Sequence, residues 1–282
     1  MKIGLYDDYK LGVVNGDSIV DVSGAGGDIQ YRKPQELMDQ IIEGWTEVRP
    51  KLEAESTGKA GVAVDSVRLR APLPRPGQLV NMAGNYLEGA SPDKGTYNGF
   101  FKANTSVIGN GDTVELSTNN ARVFHFEPEL GVVIGKRAAN VSQADALDYV
   151  FGYVNMIDAS ARNVGDGFWQ HKAWATSAPQ GPWIVTADEI PDPQTLRMQF
   201  WVNGEQRHDF STASMARPVA EVIKEVSNQF VLEPGDIIST GTHHEGLAAI
   251  KDGDDIKFSI ERVGVLNVKC HDPLKRTWAP GM

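Results

Sequence analysis

Residues 123–135 read VFHFEPELGVVIG, a stretch that closes in an apolar run and carries two acids two positions apart. A strand puts residues i and i+2 on one face, so Glu127 and Glu129 point the same way. Packed together without a cation they repel, and one must take up a proton. A hard divalent ion such as Mg²⁺ or Mn²⁺ removes that conflict by accepting oxygen from both. Asp158, in YVNMIDASARN (153–163), is a lone acid in an otherwise apolar or neutral stretch, costly to bury unpaired, and would complete such a site. Alternation also puts His125 on the face of the two glutamates, as a fourth ligand, an acid–base group or a hydrogen-bond partner of a carboxylate. Spacing alone leaves another reading open, in which the glutamates form the solvated face of an alternating strand.

Outward from this strand the pattern is mostly β. Residues 2 to 22 read as short strands, with Asn15-Gly16-Asp17 turning a hairpin between LGVV and SIVDV. Leu196, Met198, Phe200 and Val202 alternate up to Asn203-Gly204, another hairpin signal. Glu233-Pro234-Gly235-Asp236 introduces a strand from Ile237 to Thr240, and Ile256, Phe258 and Ile260 alternate beyond it. Short strands at turn-separated intervals predict a sandwich or rolled sheet. Helical spacing predicts one helix from Pro34 to about Glu53, one from about Gln143 capped by Ser142 with Asp145 three residues on, and one after Pro218. Residues 54 to 79 turn polar, Gly-rich and Pro-punctuated, which predicts a linker. The expected organisation is a small α+β amino-terminal domain over 1–70 and a larger domain over 71–282.

Composition narrows the partners. With 41% hydrophobic and 23% charged residues the 282-residue chain is globular in type and can bury a real core. Twenty-seven basic against 37 acidic residues leave a net charge of -10, which repels nucleic acid and anionic lipid. An anionic substrate must therefore meet local positive charge or a metal. One cysteine, Cys270, excludes an intramolecular disulfide, and no apolar run approaches the roughly 20 residues of a membrane span, so a cytoplasmic protein is expected.

EPELGVVIGK (127–136), NVSQADALDYVFGYVNMIDASARN (140–163), Lys172 with PQGPWIVT (179–186), and EPGDIISTGT (233–242) together resemble the fumarylacetoacetate hydrolase family. The resemblance spans roughly residues 75 to 270, with the motifs in the right order. It implies an α+β fold with a mixed β-sandwich roll, a homodimer, a small oxo-acid substrate and a Mg²⁺ or Mn²⁺ ion. By the same resemblance Glu127, Glu129 and Asp158 are the metal ligands and Lys172 sits beside the reacting carbonyl. Arg162 and Thr242 lie near substrate, and Tyr86 stands at the entry to a lid.

The chain departs from the family at that lid. Many hydrolytic members carry a His and a Glu spaced H-x-x-E after the Asn-Tyr pair, whereas this chain has Gly89 and Pro92 at those positions. After Thr242 it reads His243-His244-Glu245, and one of these histidines, with Glu245 assisting, is the expected replacement base. Glu88 remains as a lid carboxylate at the wrong spacing. The leading expectation is hydrolysis of a carbon–carbon bond in a 1,3-diketo acid such as an acylpyruvate. The rivals are an oxo-acid decarboxylase, dehydratase or tautomerase on the same site, and a non-catalytic protein that binds metal and oxo acid.

Overall fold

The computed structural model describes residues 1–27, 29–88 and 95–278. Its amino-terminal part holds β1 (Lys2–Tyr6), β2 (Lys10–Asn15), β3 (Ser18–Asp21), α1 (Pro34–Glu43), α2 (Trp45–Ser56) and β4 (Val62–Ala63). Then follow β5 (Leu79–Met82), β6 (Gly99–Phe101), β7 (Val107–Ile108), β8 (Thr113–Glu115), β9 (Val123–Ile134), β10 (Val150–Arg162), α3 (Phe168–Lys172) and β11 (Ala178–Thr186). The chain closes with β12 (Arg197–Val202), β13 (Glu205–Ser211), α4 (Val219–Gln229), β14 (Ile237–Ser239), β15 (Asp255–Ile260) and β16 (Gly264–His271).

These strands form two sheets. The larger runs β4-β3-β2-β1-β11-β10-β9-β14-β5-β6, with β7 also on β11, and the smaller runs β13-β12-β15-β16-β8. Both antiparallel and parallel pairs occur, β14 lying parallel to β5 and antiparallel to β9. The result is the expected α+β class with a mixed β-sandwich roll. The amino-terminal strands continue the large sheet, since Lys2 and Ile3 of β1 pair with Val185 and Ile184 of β11.

Alternation sorts the strong β9–β10 pair into two faces. Phe124, Phe126, Leu130 and Val132 face the smaller sheet and pack in one core with Met198, Phe200, Phe258, Leu266 and Val268. Each such fully buried side chain contributes roughly 1.5–3 kcal/mol. The opposite face carries Val133, Val154, Met156, Ile237 and Leu79, covered by Leu37, Met38, Ile41 and Ile42 of α1. Farther along the same strands that second face turns polar, and there the candidate site is built.

Three expectations change in the structure. The helix expected from Pro34 to Glu53 is two, because the chain bends at Gly44, whose ψ of 20° leaves helical geometry. The helix expected from Gln143 is only a 3₁₀ turn over Ala146–Tyr149. The Asp145 N–H donates to Ser142 Oγ, whose hydroxyl donates to Asp145 Oδ2, but Val150 is already drawn into β10 opposite Ile134, and four residues leave no room for an α-helix. In the stretch expected as a linker, β4 pairs with β3, and Leu69, Ala71 and Leu73 are buried. The helix after Pro218 and the Asn203-Gly204 hairpin form as expected, the two turn residues taking φ of 51° and 80°.

Candidate active site

In the β9–β10 ladder Asp158 lies directly opposite Glu127, and Met156 opposite Glu129. Cross-strand neighbours on one face approach to about 4.5–5.5 Å between Cβ atoms, so the register alone brings the three acids together. One carboxylate oxygen from each lies within 4.8 Å of the others, and Glu127, Glu129 and Asp158 are all buried. Pro128 sits between the glutamates in mid-strand. It is tolerated because β14 pairs only with residues 131–133, leaving that edge of β9 without a rung for the missing N–H.

Cations compensate two of the acids. Lys172 Nζ, carried at the end of α3, lies 2.7 Å from Glu127 Oε2 and 2.5 Å from Asp158 Oδ2 and also donates to Ser160 Oγ. Arg162 pairs with the other oxygen of Glu127 and donates to His125 Nδ1 at 3.3 Å. Lys102, fully buried, places Nζ 2.6 Å from Asp158 Oδ1 and also donates to the carbonyls of Ala159 and Lys172.

Burial would raise the Glu127 pKa, but Lys172 and Arg162 hold it well below the usual carboxylate range. Burial would depress Lys172, and Asp158 and Glu127 overcome this and raise it. Lys102 is lowered by burial, against the pull of Asp158. Glu129 is different: Oε2 accepts from Ser239 Oγ at 2.6 Å and the Gly241 N–H at 2.9 Å, neither of them charged. Burial, then Asp158 and Glu127, push its pKa up to about 8. A buried acid held up by two like charges, with three carboxylate oxygens converging, fits a hard divalent cation.

The loop after β14 brings the expected base region to this cluster. Gly241 holds Glu129, and Thr242 is buried with Oγ1 unpartnered. His244 Nδ1 lies 2.6 Å from Glu88 Oε1, and the same oxygen accepts the His244 N–H at 2.7 Å. The carboxylate that meets His244 is therefore Glu88, whereas Glu245 is exposed and neighbours it only in sequence. His243 packs on Phe210, with ring centroids 6.0 Å apart. Tyr86, expected at the entry to a lid, is buried, its hydroxyl 3.6 Å from Met198 Sδ and its ring close enough to Glu129 to feel that carboxylate's charge. Gly89 and Pro92, where relatives carry the lid dyad, lie outside the described residues.

Sequence reasoning missed Lys102, and it left Glu88 without a partner. In GFFKANTS (99–106) nothing distinguishes Lys102 from a solvated lysine at a strand end. It is buried because its side chain, just past β6 at the edge of the large sheet, reaches Asp158 and the carbonyls of Ala159 and Lys172.

A roll that converges three carboxylates and a buried lysine on one sheet face is the scaffold of a class of metal-dependent hydrolases and isomerases. The family sequence model described as fumarylacetoacetate (FAA) hydrolase C-terminal matches residues 78–270, and the chain belongs to this family. The maleylpyruvate hydrolase of Aquipseudomonas alcaligenes is 33% identical over 285 residues, covering 95% of this chain and 98% of that protein. The crystal structure of maleylpyruvate hydrolase from Sphingobium sp. SYK-6, in complex with manganese(II) and pyruvate, superposes with a TM-score of 0.88 at 34% identity, covering 96% of this chain and 99% of the other. A probable 2-hydroxyhepta-2,4-diene-1,7-dioate isomerase from Mycobacterium abscessus superposes at 0.80 with 28% identity, covering 96% and 99%.

Proposed function

We propose that this protein hydrolyses a carbon–carbon bond in a small 1,3-diketo acid of the acylpyruvate class. The observation that carries this reading is the His244–Glu88 pair, a histidine oriented by a carboxylate on the loop that also holds Glu129. Similarity to two maleylpyruvate hydrolases over nearly the full chain supports it.

Glu127, Glu129 and Asp158 would hold Mg²⁺ or Mn²⁺, and the ion would act as a Lewis acid on the chelating oxo acid. Glu88 fixes the ring of His244 through Nδ1, leaving Nε2 to take a proton from water as the water oxygen bonds to the acyl carbonyl carbon. The bond between that carbon and the central methylene then breaks, releasing a carboxylic acid and an enolate. The Lys172 ammonium stabilises the enolate oxygen, and the proton on His244 returns to the enolate carbon to give the second oxo acid. Arg162 and Thr242 would face the substrate carboxylate side, a dimer would be the working assembly, and residues 1–70 would form an amino-terminal unit whose strands continue the large sheet.

An isomerase or decarboxylase reading uses the same enolate without attack by water, and the isomerase-like fold of similar sequence favours it as the second choice. Turnover of acylpyruvates by the Mn²⁺-loaded protein in isotopically labelled water separates them. The expected result is solvent oxygen in the new carboxylate. Product formation without label, or with release of CO₂, overturns hydrolysis.

A further inference from the structure

We infer that Asn81 is a substrate-binding residue whose carboxamide hydrogen-bonds an oxygen of the chelating oxo acid; this rests on the metal-dependent reading above. Asn81 is in β5, in register with Ser239 of β14 on one side and Phe100 of β6 on the other. Residues in register on adjacent strands project from the same face. Both neighbours touch the site, Ser239 through its bond to Glu129 and Phe100 through its ring, which lies 5.1 Å beneath the Lys172 ammonium. The carboxamide between them therefore faces the carboxylate cluster, and Leu79, two residues earlier on the same face, lies in the apolar core below it.

Asn81 is 0% exposed, and neither Nδ2 nor Oδ1 has a hydrogen-bond partner. A buried amide left in this state costs stability, and native interiors leave very few of them. An apolar residue would fill the same place without that cost. The side chain is explained by a partner that arrives with the ligand: Nδ2 can donate to a carboxylate or enolate oxygen while Oδ1 accepts from an enol hydroxyl. Such a donor and acceptor pair suits the enol of a 1,3-diketo acid and leaves the metal ligands untouched.

The test uses Asn81→Leu and Asn81→Ala in the full chain, with Mn²⁺ titrated alone and oxalate then titrated into the Mn²⁺-loaded protein by calorimetry. Expected are Mn²⁺ affinity equal to wild type, oxalate binding weakened about tenfold or more, and a metal-free Asn81→Leu protein that melts no lower than wild type. Oxalate affinity unchanged in both variants overturns the inference. So does a lower melting temperature in both, because the amide would then have an internal structural partner. Wild-type protein that takes up no Mn²⁺ sinks the proposed function and this inference with it, whereas the first two failures leave the proposed function standing.

Discussion

His244 and Glu88 meet across 156 residues of chain, Nδ1 to Oε1 at 2.6 Å, with the His244 backbone N–H on the same carboxylate oxygen. Two hydrogen bonds to one oxygen hold both the loop and the ring. In the proposed reaction the pair would take the role that the family resemblance gives to a lid histidine and glutamate. His244→Ala is expected to lower kcat about 10²–10⁴-fold with Mn²⁺ binding retained. Glu88→Gln is expected to lower it less, and Glu245→Gln to leave it unchanged; steady-state kinetics on an acylpyruvate reads all three. Equal losses from Glu88→Gln and Glu245→Gln would discard the pairing as functional.

Lys172 bridges Glu127 and Asp158 with a single ammonium. If that charge also meets the developing enolate, Lys172→Met should lower kcat about 10²–10³-fold, the size of losing one preorganised donor. Mn²⁺ uptake should persist, because no metal ligand is removed. A protein that only binds oxo acids would show no change in function on this substitution.

Lys102 is a buried cation with a carboxylate and two carbonyls as its partners. Removing one partner of a buried pair costs about 3–5 kcal/mol when the other charge is stranded, but Asp158 keeps Lys172 as a second cation. Lys102→Met should therefore lower the urea-unfolding free energy of the metal-free protein by less, about 1.5–3 kcal/mol for a lost hydrogen bond to a charged group, with part regained on adding Mn²⁺, which would compensate Asp158. A loss below about 1 kcal/mol, the worth of an exposed pair, would show that the ammonium is not the anchor of Asp158.

Glu129 makes the metal-free protein sensitive to pH. Its folded pKa is raised to about 8 from an ordinary value of 4.5, by burial and by Asp158 and Glu127. Between those values the folded chain binds a proton that the unfolded chain has released, so this group's stabilisation is complete below about 4.5 and is lost as pH rises towards 8. Glu127, shifted the opposite way, acts only below that window. Urea unfolding from pH 5 to 8 should show stability falling with rising pH in wild type and a flatter profile in Glu129→Gln. Mn²⁺ affinity should rise over the same interval as the proton is displaced. A flat wild-type profile would contradict the raised pKa.

Much of the site was legible in sequence because it is local. Glu127 and Glu129 share a face through strand periodicity alone, and the motifs around Asp158, Lys172 and Thr242 carry the family pattern in order. Strand alternation likewise sorted the core of β9, β12 and β15, and turn chemistry placed the Asn203-Gly204 hairpin. Helix boundaries were less legible, because the bend at Gly44 and the early entry of Val150 into β10 depend on what the flanking residues pack against.

Register and long-range contacts were decided only in three dimensions. A sequence fixes which side of a strand a residue takes, but not which residue stands opposite it. That choice put Asp158 across from Glu127, brought Lys102 from the far edge of the sheet onto Asp158, and gave His244 to Glu88 instead of to Glu245. Each of these contacts spans 31 residues or more of chain, where hydrogen-bond ladders and core packing set distances that no local spacing can encode.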